Sequence, residues 1–243
     1  MFRLLKALPL VLALASLGIF ATSCGSSNAQ IRVINAIADV PSQQPLDIDV
    51  NGNKITGSTP LAFTEIFPGA GTVATYSSVA SGSDTIAAYL TNTTGSPITQ
   101  CVSCSLNSST QYTLVLDGFS ANGSTNTIAV LTDNNTAPTA GSLEFRVIDA
   151  SANTPTGGYD VYIVSTPNIQ GSTPQTIGLG QATIYIPLAN GAYFLIVTPH
   201  GNPSQTIDYS LPEADGSIRT VVIVDNQGGG GTALSPLIFT DLN

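Results

Sequence analysis

The sequence predicts an all-β chain folded as two tandem β-sandwich domains of immunoglobulin-like or transthyretin-like build. Three observations predict it: apolar and polar residues alternate with a period of two, Pro- and Gly-rich turn clusters recur at short spacing, and the second half repeats the first. Composition agrees. Only 9% of the 243 residues are charged, against roughly 25% in ordinary soluble domains, so Ser, Thr, Asn, Gln and Gly must supply the polar surface, and these favour strands and turns.

The N-terminus comes first. Arg3 and Lys6 form a basic start, Ala7 to Ala21 are all apolar or small, and Ala21-Thr22-Ser23 leads into Cys24. The apolar run falls short of the roughly 20 residues of a spanning helix and reads as a secretory signal peptide over residues 1–23. It resembles the bacterial lipoprotein signal, which implies cleavage before Cys24 and acylation of that cysteine, palmitate being the expected chain type. Ala21 stands where that signal prefers Leu. Three acyl chains, at about 0.8 kcal/mol per buried CH₂, would anchor the protein firmly. Gly25 after the cysteine points to the outer membrane. Cleavage removes Arg3 and Lys6 and takes the net charge from −9 to −11. The remaining bases, Arg32, Lys54, Arg146 and Arg219, form no cluster, so phosphate neutralisation, and with it nucleic-acid binding, is excluded.

Past a short tether, residues 24–29, the repeat begins. IRVINA at 31–36 matches FRVIDA at 145–150, and LDIDVNG at 46–52 matches YDVYIVS at 159–165. YTLVLDG at 112–118 matches TVVIVDN at 220–226, and IAVLTD at 128–133 matches LIFTD at 237–241. The order is kept while the offset moves from 114 to 108, as loops of a duplicated domain allow. Residues 30–136 are read as the first sandwich, the Pro- and Gly-bearing 137–141 as a linker, and 142–243 as the second. Further strands are expected at 61–66, 72–79, 84–90, 182–186, 192–198 and 205–209, about seven per copy, with no amphipathic helix after the signal.

These motifs resemble the bacterial extracytoplasmic family called domain of unknown function 4397, often found in tandem on lipoproteins. The first copy carries the pattern in Arg32, Val33, Asn35, Ala36, Asp39, Pro41, Asp47, Val50, Asn51 and Gly52, and the second in Arg146, Val147, Asp149, Ala150, Asp160 and Val161. The resemblance implies a sandwich fold and brings no enzymatic activity. Asn35 and Asp149 stand where the family often has His, so no metal role is carried over.

The candidate sites read as structural. Cys101-Val102-Ser103-Cys104 lacks the further ligands a zinc site needs, and outside the cytoplasm it is expected to form a small loop disulfide. Asp47-Ile48-Asp49-Val50-Asn51-Gly52 opens like a calcium loop, but Ser58 occupies the place of the closing Glu, and Asn-Gly signals a hairpin turn; weak calcium binding at loop acids such as Asp39 stays open. His200, near Ser204, is expected in an exposed turn without a nucleophile elbow. Arg32 and Arg146 are expected on exposed strand faces, paired with acids such as Asp47 or Asp160. Glu65, Glu144 and Glu213 are the acids a glycosidase would need, and no motif brings two together. Tyr159, Tyr162, Tyr185 and Phe194 are the residues from which an exposed binding patch would be built.

The expected function is therefore that of a non-catalytic cell-envelope lipoprotein without cofactor, a binding, adhesion or structural module contacting a protein or glycan partner. A passive stalk or surface-layer component is the alternative, and an envelope hydrolase is the least favoured.

Overall fold

The computed structural model describes residues 28–69, 75–93, 95–119, 126–203, 207–211, 216–227 and 233–241. The signal segment, Cys24, Ser204 and Glu213 lie outside the described residues. The strands of the first half are β1 (Asn28–Asn35), β2 (Leu46–Val50), β3 (Asn53–Lys54), β4 (Ile66–Phe67), β5 (Ser77–Ala80), β6 (Gly82–Leu90), β7 (Thr99–Leu106), β8 (Gln111–Asp117) and β9 (Thr127–Thr132). Those of the second are β10 (Ser142–Asp149), β11 (Tyr159–Val164), β12 (Gln175–Ile177), β13 (Ile186–Ala189), β14 (Tyr193–Pro199), β15 (Ile207–Leu211), β16 (Ile218–Asp225) and β17 (Leu234–Thr240).

The chain is all-β, and its described residues form four sheets. In the first half, β4-β1-β8-β9, with β5 added on β1, faces β3-β2-β6-β7; in the second, β13-β10-β16-β17 faces β12-β11-β14-β15. Among the described residues each half has one parallel pair, β1 with β8 and β10 with β16, and the other ladders are antiparallel. Alternation builds each core. Val33, Ile48, Ile86 and Leu114 meet between the first two sheets, and Phe145, Val161, Val197 and Val221 between the second two.

The expected strands at 84–90, 192–198 and 205–209 correspond to β6, β14 and β15. Those at 61–66 and 182–186 shrink to β4 with a single bridge at Leu61 and to a single bridge at Ala182 ahead of β13, while β5 takes up the end of the strand expected at 72–79, whose residues 72–74 lie outside the described residues. The tether is shorter than read, since Asn28 and Ala29 already pair with Ala80 and Val79. Asn51 and Gly52 both have positive φ, 51° and 77°, which is the two-residue turn that joins β2 to β3 and suits right-handed strand twist.

A third apolar cluster lies outside both sandwiches. Ile34, Val115 and Ile66 of the first half pack with Ile148, Val222, Val224 and Phe239 of the second. Ile34, Val115, Ile148, Val222 and Val224 are alternate residues of β1, β8, β10 and β16, on the faces turned away from each sandwich core, and Ile66 of β4 and Phe239 of β17 join them from the neighbouring strands. Both faces of β1, β8, β10 and β16 are therefore buried, and the two halves are joined sheet to sheet.

Candidate functional site

The joint between the halves gathers the polar residues that the sequence made conspicuous. Arg32 on β1 is fully buried and Arg146 on β10 is 2% exposed, so the expected exposed placement does not hold. A period of two correctly turns both side chains away from their own sandwich core, but the face they reach is covered by the other half. Their partners also differ from the expected ones: Asp47 binds Lys54 at 2.7 Å, and Asp160 binds His200.

The pairing crosses between halves in both directions. Arg32 Nη1 donates to Asp241 Oδ1 at 2.7 Å, and Arg146 Nη2 lies 2.8 Å from Asp133 Oδ1. Arg32 Nε also reaches Asp133 at 3.4 Å and donates to Thr113 Oγ1 at 2.7 Å. Thr113 donates to Asp133 at 2.8 Å, and Thr220 donates to Asp241 Oδ2 at 2.7 Å. The Arg32 guanidinium lies 5.5 Å from the Tyr76 ring centroid, and that of Arg146 lies 4.8 Å from Tyr185, within cation–π range.

Two cations and two anions thus balance in a site closed to water. Burial opposes the charge of Arg32, but Asp133 and Asp241 outweigh it and raise its pKa above the ordinary value. Burial likewise pushes the Tyr185 phenol up to about 12, against the neighbouring Arg146. Such a set cannot turn over a substrate without being exposed; its chemistry is adhesion between the halves. Asp133, Asp241, Thr113 and Thr220 went unrecognised in the sequence, although the matched endings IAVLTD and LIFTD carry both aspartates in one position.

The strand register corrects one part of the sequence alignment. Arg32 stands opposite Thr113 and Arg146 opposite Thr220, so β8 and β16 match one residue away from the alignment of YTLVLDG with TVVIVDN. A shift of one residue exchanges the faces of a strand. Asp117 consequently points toward the other half, while Asp225 turns inward to Ser151 Oγ at 2.7 Å and Ala152 N at 2.7 Å.

The other expected residues are dispersed. His200 is in a turn with its side chain 54% exposed, and Nδ1 lies 2.8 Å from Asp160 Oδ1. Burial pushes the Asp160 carboxyl up, but hydrogen bonds from His200, Thr176 and Gly201 hold it below the ordinary range. Glu65 accepts from Ala62 N at 2.9 Å within its own turn, and Glu144 lies on β10. Asp47 and Asp49 share the outer side of β2, where burial and then Asp47 raise the Asp49 pKa. Among the described residues, no group of three or more His, Cys, Asp or Glu is placed to hold a metal ion.

The aromatic patch is smaller than expected. Tyr159 is 4% exposed and belongs to the core of the second sandwich, because it shares the inward face with Val161. Tyr185 lies over Arg146. Tyr162 and Phe194, opposite Ile196 and Val164, remain half-buried on the outer side of β11 and β14. A polar cleft of about 390 Å³ opens at the loop end of the second half, lined by Thr154, Gly158, Thr176, Gly178 and Gln181 among others.

Cys101 and Cys104 are bridged within β7, with Cα atoms 5.8 Å apart. The bridge lies in a strand where a loop was expected: Cys101 stands opposite Ile86 and Cys104 opposite Asp84, so two residues face the single Thr85 in a bulge. Val102 is left 63% exposed. Closing so short a loop restricts the unfolded chain little. The double substitution Cys101→Ser/Cys104→Ser is expected to cost about 2 kcal/mol or less, measured as a small fall in Tm with sheet content unchanged in circular dichroism.

A family model described as Domain of unknown function (DUF4397) matches residues 29–157, from β1 past the end of β10. No curated protein matches the chain significantly. Among solved structures, one of a streptococcal virulence factor that binds α-glucan is 10% identical, with 88% of this chain and 97% of that chain covered and a TM-score of 0.26. A candidate cell adhesion protein from Bacteroides uniformis ATCC 8492 is also 10% identical, with 88% and 99% covered and a TM-score of 0.23.

Proposed function

Because this chain belongs to the family described as Domain of unknown function (DUF4397), we propose that it is a non-catalytic lipoprotein of the bacterial cell envelope. In this reading two tandem immunoglobulin-like β-sandwiches, anchored through acylated Cys24, present loops to a protein or glycan partner. The observation that carries it is the buried joint. Arg32, Arg146, Asp133 and Asp241, prominent ionic groups of the described chain, are taken up in holding the halves together. What remains outward is a scaffold of paired sheets with loops at its ends, the usual place for recognition on a rigid β framework. The cleft beside Thr154, Thr176 and Gln181 offers hydroxyl, amide and backbone groups, chemistry that suits a neutral polar ligand. Residues 1–24 supply the export and anchoring signals.

The test joins anchoring to exposure. Cells expressing the full chain are fed a palmitate analogue and fractionated, alongside cells expressing Cys24→Ala. The reading predicts label on the full chain in the membrane fraction, and an unlabelled variant that leaves that fraction. A full chain without label, or a variant that stays labelled, would overturn the anchor. Proteolysis of intact against lysed cells then decides which side of the envelope holds the partner.

A further inference from the structure

We propose that the contact of Asp117 in the first half with the Asp149 turn in the second is a proton-dependent latch, closed while at least one of the two carboxyls is protonated and loosened once both ionise. This goes beyond the reading of the chain as a binding module and does not depend on it.

The geometry places two buried carboxyls on either side of the Gly180–Gln181 segment: Asp117 reaches it across the joint, and Asp149 sits in the turn to which that segment is hydrogen-bonded. Asp117, at the end of β8, is fully buried. Its Oδ1 accepts from Thr127 Oγ1, while Oδ2 is buried and has no hydrogen-bond partner among the described residues. Gly180 of the second half closes over that oxygen: a Cβ built on Gly180 would lie 3.1 Å from Asp117 Oδ2 and 3.4 Å from the Ala129 Cβ. The same Gly180 N–H donates to the Asp149 carbonyl at 2.8 Å, which ties the segment covering Asp117 to Asp149. Asp149 is itself fully buried, with Oδ1 accepting from Ser151 N at 3.0 Å and Oδ2 from Thr154 Oγ1 at 2.7 Å.

Among the described residues, the surroundings supply no positive charge. The titratable groups that the described residues place around these two carboxyls are Asp225 on β16, turned into its own half, and Tyr159 on β11, in the core of the second half. Thr127 on β9 and Gly180 with Gln181 bring none. Among the described residues, no Lys, Arg or His forms an ion pair with Asp117, Asp149 or Asp225, whereas the Arg32–Arg146 end of the same joint is charge-balanced. The first half treats the equivalent position differently. Asn35 makes the same turn, its Oδ1 accepting from Ile37 N at 3.1 Å, with an amide that never ionises.

Burial pushes Asp149 up to about 7, with repulsion from Asp117 and Asp225 adding to it, and burial pushes Asp117 up to about 6. A carboxyl whose pKa is raised on closing favours the closed form at low pH. The closed form therefore loses ground as pH rises above the ordinary Asp value near 4, and the loss is complete once pH passes about 7.

The experiment is amide hydrogen exchange on the mature chain at pH 5 and 8.5, with rates divided by the intrinsic chemical rate at each pH. Protection of the Asp149 and Gly180 amides is expected to fall at least about tenfold across this range, while amides of the β2–β6 ladder hold steady. Asp149→Asn should keep the low-pH protection at pH 8.5, and Asp117→Asn provides the same comparison if the first variant fails to fold. Flat protection in the unaltered chain, an equal fall in the variants, or a fall shared by the β2–β6 ladder would overturn the latch. So would calcium restoring protection at pH 8.5, which would make the seam a cation site.

Discussion

Arg32→Met should destabilise the protein by about 3–5 kcal/mol, the cost of leaving a buried carboxylate without its cation. The substitution keeps much of the volume and removes the guanidinium that holds Asp241 at 2.7 Å and Asp133 at 3.4 Å. Thr220 alone cannot replace it at Asp241, since a hydroxyl supplies a hydrogen bond and no charge. Arg32→Lys should recover only part of the loss, because one ammonium cannot reproduce bonds made separately by Nε, Nη1 and Nη2. Replacing Arg32, Arg146, Asp133 and Asp241 together by apolar residues should cost far less than Arg32→Met alone. Urea unfolding midpoints check the series. A loss below about 1 kcal/mol for Arg32→Met would mean that the pair behaves as a surface ion pair.

Val222→Asp should have the second large effect and should act on the joint specifically. Val222 is fully buried among the apolar residues contributed by both halves. The change removes roughly 1.5–3 kcal/mol of apolar burial and places a carboxyl where its ionised form has no partner. A total loss of about 4 kcal/mol or more is expected, with the halves separating before either sandwich melts. Val102→Asp serves as the control, because Val102 is 63% exposed beside the cysteine bridge, and it should shift stability by less than about 0.5 kcal/mol. Differential scanning calorimetry distinguishes the two: one cooperative transition for the control, and two for Val222→Asp.

Much of the fold was legible because strand periodicity is local. Alternation in Asp47-Ile48-Asp49-Val50 and the Asn51-Gly52 turn depend on neighbours only, and β2, the turn and β3 follow from them. The joint was not legible for the opposite reason. Arg32 reads as outward-facing by the same alternation, and nothing nearby in sequence says that a second sheet covers that face. Its partner Asp241 is 209 residues away. The one available signal was the recurrence of Arg32 with Arg146 and of Asp133 with Asp241 at like places in both halves. Repetition of a charged residue at a strand position otherwise fit for an apolar side chain is what a shared buried contact leaves in a sequence. The register of β8 against β16 was misread for a related reason: YTLVLDG and TVVIVDN align best on their terminal aspartates, whereas the strands are set by Thr113 and Thr220 against the two arginines.

The two halves are expected to move as one body, and backbone ¹⁵N relaxation of residues 28–243 tests that directly. One rotational correlation time shared by β1–β9 and β10–β17, with the value expected for the whole chain, is the predicted result. Separate, shorter correlation times for the two halves would contradict it, since a joint closed by Arg32, Arg146, Asp133 and Asp241 and by the packing of Ile34, Val115, Ile148 and Val222 leaves no room for independent tumbling.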